Sequence, residues 1–135
     1  TLNCFDYCES LASINIPDSV KTLGGFYDTA LTSITIPSNV TEISQSAFAY
    51  CASLKEIQIP SSVAKIDFAA FYNCEALTDV YYSGTKEQWD KLNLSSDDIW
   101  FATVYYNYNQ NHIHIYEPKI IKAATCLEVG DKLWI

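Results

Sequence analysis

The sequence has no arginine and no methionine, and it has only half as many basic as acidic side chains. Its 135 residues include 16 Asp or Glu and 8 Lys, which gives a net charge of −8. Nucleic-acid affinity depends on neutralising phosphates with Lys and Arg, so this composition argues against a nucleic-acid partner. No apolar run approaches the ~20 residues that span a bilayer, so we expect no membrane insertion of this segment. The first residue is Thr, and we therefore expect a fragment or a processed form of a longer chain.

The sequence repeats itself with a period of 23 residues. Residues 31–53, LTSITIPSNVTEISQSAFAYCAS, match residues 54–76, LKEIQIPSSVAKIDFAAFYNCEA, position for position. An earlier copy begins at Leu11 and is three residues shorter; the tail of another precedes it, and a further copy begins at Leu77. Repeats of this length are typical of a solenoid, in which each unit buries its apolar edge only by stacking on its neighbours.

Each copy predicts a short strand followed by a turn. Ile34 and Ile36 lie two residues apart, so their side chains point to the same side of the strand. Pro37 follows directly, and it ends the strand because it has no N–H to donate. Ser44 and Asp67 then stand where a helix N-cap would, before the Ala-Phe pair of each copy. We therefore predict a parallel sheet on one side and short helical turns on the other.

The segment after the repeats predicts a closing element. Thr85 and Gln88 fit a capping box that opens a helix to about Leu92, on which Trp89 and Leu92 share a face that covers the last coil. Residues 102–108 are rich in strand formers. Capping of the solenoid end is the favoured role of the terminal aromatic residues, ahead of a sugar-stacking platform or a protein hot spot. They are Trp89, Trp100, Phe101, Tyr105, Tyr106 and Tyr108.

The pattern L-x-x-I-x-I-P-x-x-V-x-x-I-x-x-x-A-F-x-x-C-x-x resembles the BspA-like leucine-rich repeat of bacterial surface proteins, over about residues 1–82. The resemblance implies an α/β leucine-rich-repeat solenoid of four to five coils with a helix and strand cap. It also implies an extracellular or cell-surface location and binding of macromolecules without catalysis. The repeat domain would span residues 1–108, with coils starting near Leu11, Leu31, Leu54 and Leu77 and a cap over 83–108. Residues 109–135 resemble a linker and the truncated start of a small β-rich module.

The predicted binding surface is the exposed side of the strands, where stacking aligns the side chains between and before the core isoleucines. Solenoids usually bind along their extended sheet face. We therefore predict a protein partner here, although an ordinary solvated sheet would look the same in sequence. The alternative is an accessory glycan-binding domain that uses the terminal aromatic residues. The residues of the predicted face are Ser13, Asn15, Ser33, Thr35, Glu56, Gln58, Asp79 and Tyr81.

The five cysteines leave two interpretations open. Cys8, Cys51 and Cys74 share one repeat slot, which favours a buried thiol that acts as a small apolar side chain. A strand-like spacing of ~4.8 Å would also bring neighbouring coils within the ~4.4–6.8 Å Cα range of a disulfide. A bridge between Cys51 and Cys74 is therefore the alternative.

No other residues form a recognisable catalytic or metal site. His112 and His114 would point to the same side of a strand, but no third ligand is near them in sequence. Pairing either with Cys126 as a nucleophilic dyad would need an orienting group and an oxyanion hole, and no motif supplies them. The acids are scattered over the coils, with Asp97 and Asp98 the one adjacent pair. We predict no enzyme activity, no metal and no cofactor.

Overall fold

The computed structural model describes residues 4–92, 94, 99 and 102–109, and over these the chain is a parallel β-solenoid. The elements are β1 Thr22–Leu23, β2 Ser33–Thr35, β3 Glu42–Ile43, β4 Glu56–Ile59, β5 Lys65–Ile66, β6 Asp79–Tyr82, α1 Lys86–Asp90 and β7 Thr103–Tyr105. One sheet has the strand order β2-β4-β6-β7, and a second has the order β1-β3-β5. Within the described residues no helix is long and apolar enough to cross a membrane.

The register of the first sheet confirms the stacking that the repeat predicts. Ile34 pairs with Ile57, and Ile57 pairs with Val80 on the next coil. Val104 continues the same row from the closing strand β7. Because side chains alternate across a strand, this row faces inward along the whole sheet. Ile34, Ile57 and Val80 are accordingly buried.

Phenylalanines form a second inward row, on the side of the coil that carries the Ala-Phe pairs. Phe5, Phe26, Phe48 and Phe71 lie with ring centroids 5.5, 5.3 and 5.6 Å apart and with interplanar angles of 13°, 5° and 4°. Each coil therefore contributes one ring to a continuous stack through the core. We call these four residues the phenylalanine stack.

The helical turns predicted after Ser44 and Asp67 are wrong. The Ser44 hydroxyl donates to the Leu23 carbonyl of the preceding coil, and Asp67 accepts from the adjacent Phe68 N–H, so neither caps a helix. Backbone N–H groups of these turns donate to the next coil instead, as Phe48 does to the Ala70 carbonyl and Tyr50 to the Tyr72 carbonyl. Such a ladder satisfies the backbone groups that a helix would satisfy internally.

The coil differs from the prediction in two further features. The predicted sheet is not confined to one side of the coil, since β1, β3 and β5 form a second parallel sheet between the first sheet and the turns. Residues in the turns also adopt positive φ, including Ser46 and Ala69. A right-handed helix cannot pass through such residues. The coil is therefore held by three inter-coil ladders.

The copy that begins at Leu11 is three residues shorter than the next two, and its turn is the part that is shortened. Gly25 has a φ of 83°, a conformation that glycine adopts without steric cost. The missing residues fall between Leu23 and Leu31. Phe26 nevertheless lies in the phenylalanine stack, and Thr29 occupies the buried cysteine slot. The deletion shortens the turn and leaves both rows continuous.

The closing helix α1 begins with the predicted capping box. The Thr85 hydroxyl accepts from the Gln88 N–H at 3.2 Å, and the Gln88 side chain accepts from the Thr85 N–H at 2.8 Å. The helix is shorter than expected and ends at Asp90, but Trp89 and Leu92 are both buried. The Trp89 ring meets the buried Tyr82 edge-on with centroids 5.1 Å apart. The predicted strand in residues 102–108 is confirmed as β7.

Candidate interaction surface

The outward side chains of the first sheet form two columns in register. The first column runs through Ser33, Glu56, Asp79 and Thr103. The second runs through Thr35, Gln58, Tyr81 and Tyr105. We call the two columns together the strand face. Six of the eight residues predicted from the sequence lie on it.

The first column carries unbalanced negative charge. Glu56 and Asp79 are register partners on neighbouring strands, and the Asp79 carboxylate accepts from the Thr78 hydroxyl at 2.8 Å. Among the described residues, neither forms a salt bridge, since the lysines that do so are Lys65 and Lys86. Like charges on adjacent strands repel each other. A cationic group bound here would relieve that repulsion.

The second column ends in an aromatic cluster. The Tyr81 ring stacks on the Tyr105 ring of the closing strand, with centroids 5.0 Å apart, and lies 4.8 Å from the tilted Tyr108 ring. Burial raises the pKa of Tyr81, and the neighbouring Asp79 and Glu56 carboxylates raise it further. The Tyr81 phenol therefore stays protonated and can donate a hydrogen bond at any physiological pH.

A groove of about 770 Å³ lies beside the carboxyl ends of these strands. The backbone of the closing segment forms its far wall, because Tyr108 donates to the Tyr82 carbonyl and Asn107 to the Gly84 carbonyl. Its lining contains hydroxyl, amide, proline, isoleucine and tyrosine side chains and no Asp, Glu or Lys. The lining residues are Thr35, Ile36, Pro37, Ser38, Gln58, Ile59, Pro60, Tyr81, Ser83, Asn107, Tyr108 and Asn109.

Sequence reasoning identified one side of this groove and missed the other. Thr35, Gln58 and Tyr81 are on the predicted face, whereas Asn107 and Asn109 were not considered as contact residues. The available signal was the spacing of the tyrosines, because Tyr105 lies 24 residues after Tyr81, one more than the 23-residue period, and continues its column. The groove follows from that register, since it brings the residues after β7 beside those after β6.

Ser13 and Asn15 do not join the strand face as predicted. Both are exposed, but residues 11–17 form no strand, and Ile14 and Ile16 are only partly buried. The backbone link to the next coil here is the 3.4 Å bond from the Thr32 N–H to the Ala12 carbonyl. The paired face thus begins at Ser33.

Comparison with known proteins agrees with the stacked repeats. Residues 1–97 match the family described as the BspA type leucine rich repeat region, in six copies. The chain belongs to this BspA-type family. A search of curated proteins found no match. The BspA-type resemblance stated from the 23-residue pattern is therefore confirmed.

A solved structure resembles this BspA-type chain in both sequence and fold. It is the crystal structure of a leucine rich cell surface protein from Faecalibacterium prausnitzii, which is 40% identical with a TM-score of 0.61. The match covers 65% of this chain and 24% of that protein, so this chain spans about a quarter of its relative.

Cysteines of the BspA-type slot are thiols that tie neighbouring coils together. The Cys51 thiol donates to the Phe26 carbonyl at 3.0 Å, and the Cys74 thiol donates to the Phe48 carbonyl at 3.0 Å. Thr29 fills the same slot one coil earlier, with its hydroxyl 3.3 Å from the Cys51 sulfur. The buried-thiol prediction holds for Cys51, whereas Cys74 is only half-buried and Cys8 is exposed at the edge of the described coils.

Alkylation of the native protein without reductant should distinguish the two kinds of cysteine. Burial raises the pKa of the Cys51 thiol, and reactivity requires the exposed thiolate. We expect iodoacetamide to label the exposed Cys4 and Cys8 rapidly and to spare Cys51, as read by peptide mass spectrometry. The same reaction in denaturant should label Cys51 and Cys74 as well. If both still resisted labelling there, the alternative of a Cys51–Cys74 bridge would hold.

A metal site requires a cluster of metal-ligating side chains. In the described part of the chain, no group of three or more His, Cys, Asp or Glu side chains lies close enough to hold a metal ion. His112, His114, Cys126, Asp97, Asp98, Trp100 and Phe101 lie outside the described residues, as do residues 110–135 of the linker and module predicted for residues 109–135.

Proposed function

We propose that this chain is a non-catalytic interaction module of a bacterial cell-surface protein and that it binds a partner protein through the strand face. The observation that carries the proposal is the pair of outward-facing columns held in register over four strands beside a groove. The BspA-type repeat and the surface location named for the Faecalibacterium relative support it. The adhesive role belongs to the same proposal.

The charge of the strand face specifies part of the partner's chemistry. Glu56 and Asp79 are neighbours, and the whole chain has a net charge of −8. A partner that places Lys or Arg on the first column would gain complementary contacts, and salt would weaken its association. The second column offers hydroxyl, amide and phenol groups that suit hydrogen bonds to a polypeptide backbone. We expect a basic patch on the partner at this position.

The second candidate function is glycan binding in the groove, and the lining favours it. A neutral sugar presents many hydroxyls and few charges, and the groove offers amides, hydroxyls and the tilted Tyr81–Tyr108 pair without a carboxylate. Its volume lies within the ~300–1,000 Å³ of typical ligand sites. This differs from the sequence-based hypothesis, which relied on all the terminal aromatic residues. Trp89 is buried against Tyr82 and does not line the groove.

Two arrays with the same set of variants test both candidates. Thr35→Lys combined with Gln58→Lys adds two charges to the strand face, where both side chains point outward. We expect loss of binding to spots on an array of purified surface and secreted proteins, because the lysines repel a basic partner and crowd the contact. The matched control is Ala52→Lys with Ala64→Lys, which adds the same charge at exposed sites away from the face.

The double variant Asn107→Ala with Tyr108→Ala distinguishes glycan binding from protein binding, because both residues line the groove and neither lies on the strand face. If the wild type binds spots on a neutral-glycan array and this variant does not, the result would favour a sugar bound in the groove. Protein binding that survives Thr35→Lys with Gln58→Lys, in a domain with unchanged circular dichroism, would contradict the strand-face proposal.

A further inference from the structure

A row of four tyrosines, three of them exposed and Tyr27 half-buried, runs across the coils outside the phenylalanine stack. Tyr7, Tyr27, Tyr50 and Tyr72 lie with ring centroids 5.1, 5.3 and 5.7 Å apart. Tyr7 is 65% exposed, and Tyr50 and Tyr72 are 40% and 45% exposed. We call these four residues the tyrosine ladder. It is carried by the Ala-Phe turns and not by the strand face, so it is independent of the function proposed above.

The tyrosines do not occupy one repeat slot. Tyr27 and Tyr72 come directly after the phenylalanine of their coil, whereas Tyr7 and Tyr50 come two residues after it. The rings nevertheless meet their neighbours in one continuous row. Equivalent ring positions are thus reached from two different backbone positions. Repetition of a single slot of the 23-residue unit therefore does not explain the row.

The second of these positions is unfavourable for tyrosine. Its φ is positive in all four coils: 65° at Tyr7, 56° at Asp28, 64° at Tyr50 and 60° at Asn73. Asp and Asn tolerate this left-handed conformation, whereas a bulky residue there is an outlier. Two coils therefore hold a tyrosine where two others hold the residue types that suit the turn. Residues held in such strained conformations concentrate at functional sites.

Three of the four turn segments that carry the tyrosine ladder contain acidic residues. The turn segments 4–9, 25–30, 46–52 and 68–75 contain Asp6, Glu9, Asp28 and Glu75 and no lysine. The Asp6 carboxylate is fixed against the ladder, because it accepts from the Tyr27 N–H at 2.9 Å. The pKa of Tyr27 is raised, mainly by burial and further by the nearby Tyr7, Tyr50, Asp28 and Asp6 side chains. Aromatic rings bordered by carboxylates suit a cation, which contacts the ring and pairs with the acid.

We propose that the tyrosine ladder is a second binding surface and that its occupant is a Lys- or Arg-rich segment of a partner protein. Charge complementarity decides this choice, because the Asp6 and Asp28 carboxylates lie near Tyr27 and can pair with the cationic groups of such a segment while the rings contact them. Tyrosine and arginine are the side chains that dominate binding energy at protein interfaces. Arg is favoured over Lys, since its planar guanidinium stacks on aromatic rings.

The test uses a synthetic peptide of alternating Arg and Gly as the probe, with Lys-Gly, Glu-Gly and Ser-Gly peptides for comparison. We expect the Arg-Gly peptide to bind most tightly at physiological ionic strength. Tyr50→Asn and Tyr72→Ser should each raise its Kd about tenfold or more, the loss typical of an interface hot spot. Neither substitution changes the net charge. Tyr50→Asn keeps a residue type that Asn73 already shows to fit this turn.

A matched control separates the tyrosine ladder from general attraction to an acidic protein. Asp18→Asn removes an exposed carboxylate that belongs neither to the tyrosine ladder nor to the strand face, and it should leave the Kd unchanged. Asp28→Asn should weaken binding severalfold. An equal Kd for wild type and both ladder variants would overturn the proposal, as would equal binding of the Ser-Gly peptide. Either result would leave the strand-face proposal intact, because its variants lie on another surface.

Discussion

Replacing Phe48 with alanine is expected to lower the free energy of unfolding by about 3–5 kcal/mol, the usual cost of such a core deletion. Phe48 is fully buried, and its ring lies between Phe26 and Phe71, with centroids at 5.3 and 5.6 Å. The substitution leaves a cavity and removes two aromatic contacts that link three coils. Urea denaturation followed by circular dichroism measures the loss.

The position of Phe48 should also change how the solenoid unfolds. A repeat array is stabilised largely by interfaces between neighbouring coils, so a defect in the middle uncouples the two ends. We expect a broader transition for Phe48→Ala than for wild type. Phe68→Ala is the matched control, because it is the same chemical change one coil later at a side chain that is 71% exposed. A loss for Phe48→Ala no larger than that for Phe68→Ala would contradict the phenylalanine stack.

The sequence predicts the inward rows well, because they depend only on the 23-residue period and on the alternation of side chains along each strand. Ile34, Ile57 and Val80 are one period apart, and a slip of one residue would turn each of them to solvent. The same period predicts the two outward columns. The capping box can be predicted from sequence for a similar reason, since the Thr85 and Gln88 side chains accept from each other's backbone N–H groups within a single turn.

The turns could not be predicted in the same way. Ser44 and Asp67 are good N-cap residues, but their turns satisfy their N–H groups on the next coil, a partner that local propensity does not consider. The residues with positive φ are also hard to predict from sequence, since Tyr50 and Ala69 are not glycines, the residue type that usually marks this conformation. The tyrosine ladder escaped notice for a related reason. An alignment by slot places Tyr50 opposite Asn73, whereas the rings that meet are those of Tyr50 and Tyr72.

Gly84→Ala is the second substitution with a large expected effect, at the junction between the last repeat strand and the closing helix. A Cβ at this position would lie 2.6 Å from the Gln88 Oε1 atom and 2.6–2.7 Å from the Tyr82 ring. Gln88 holds half of the capping box, and Tyr82 is buried against Trp89. Overpacking costs about 1–3 kcal/mol and loss of a cap about 1 kcal/mol. We expect a total destabilisation of about 2–4 kcal/mol.

A double-mutant cycle identifies which neighbour resists the added methyl group. Gln88→Ala alone removes the flexible side chain and half of the capping box, at a cost of about 1 kcal/mol. If Gln88 were the main obstacle, Gly84→Ala would cost little in that background. We expect most of the cost to remain, because the Tyr82 ring is held in the core and cannot move aside as the Gln88 amide can. Full rescue by Gln88→Ala would show instead that the closing helix, and not the packing of Tyr82, requires glycine at this junction.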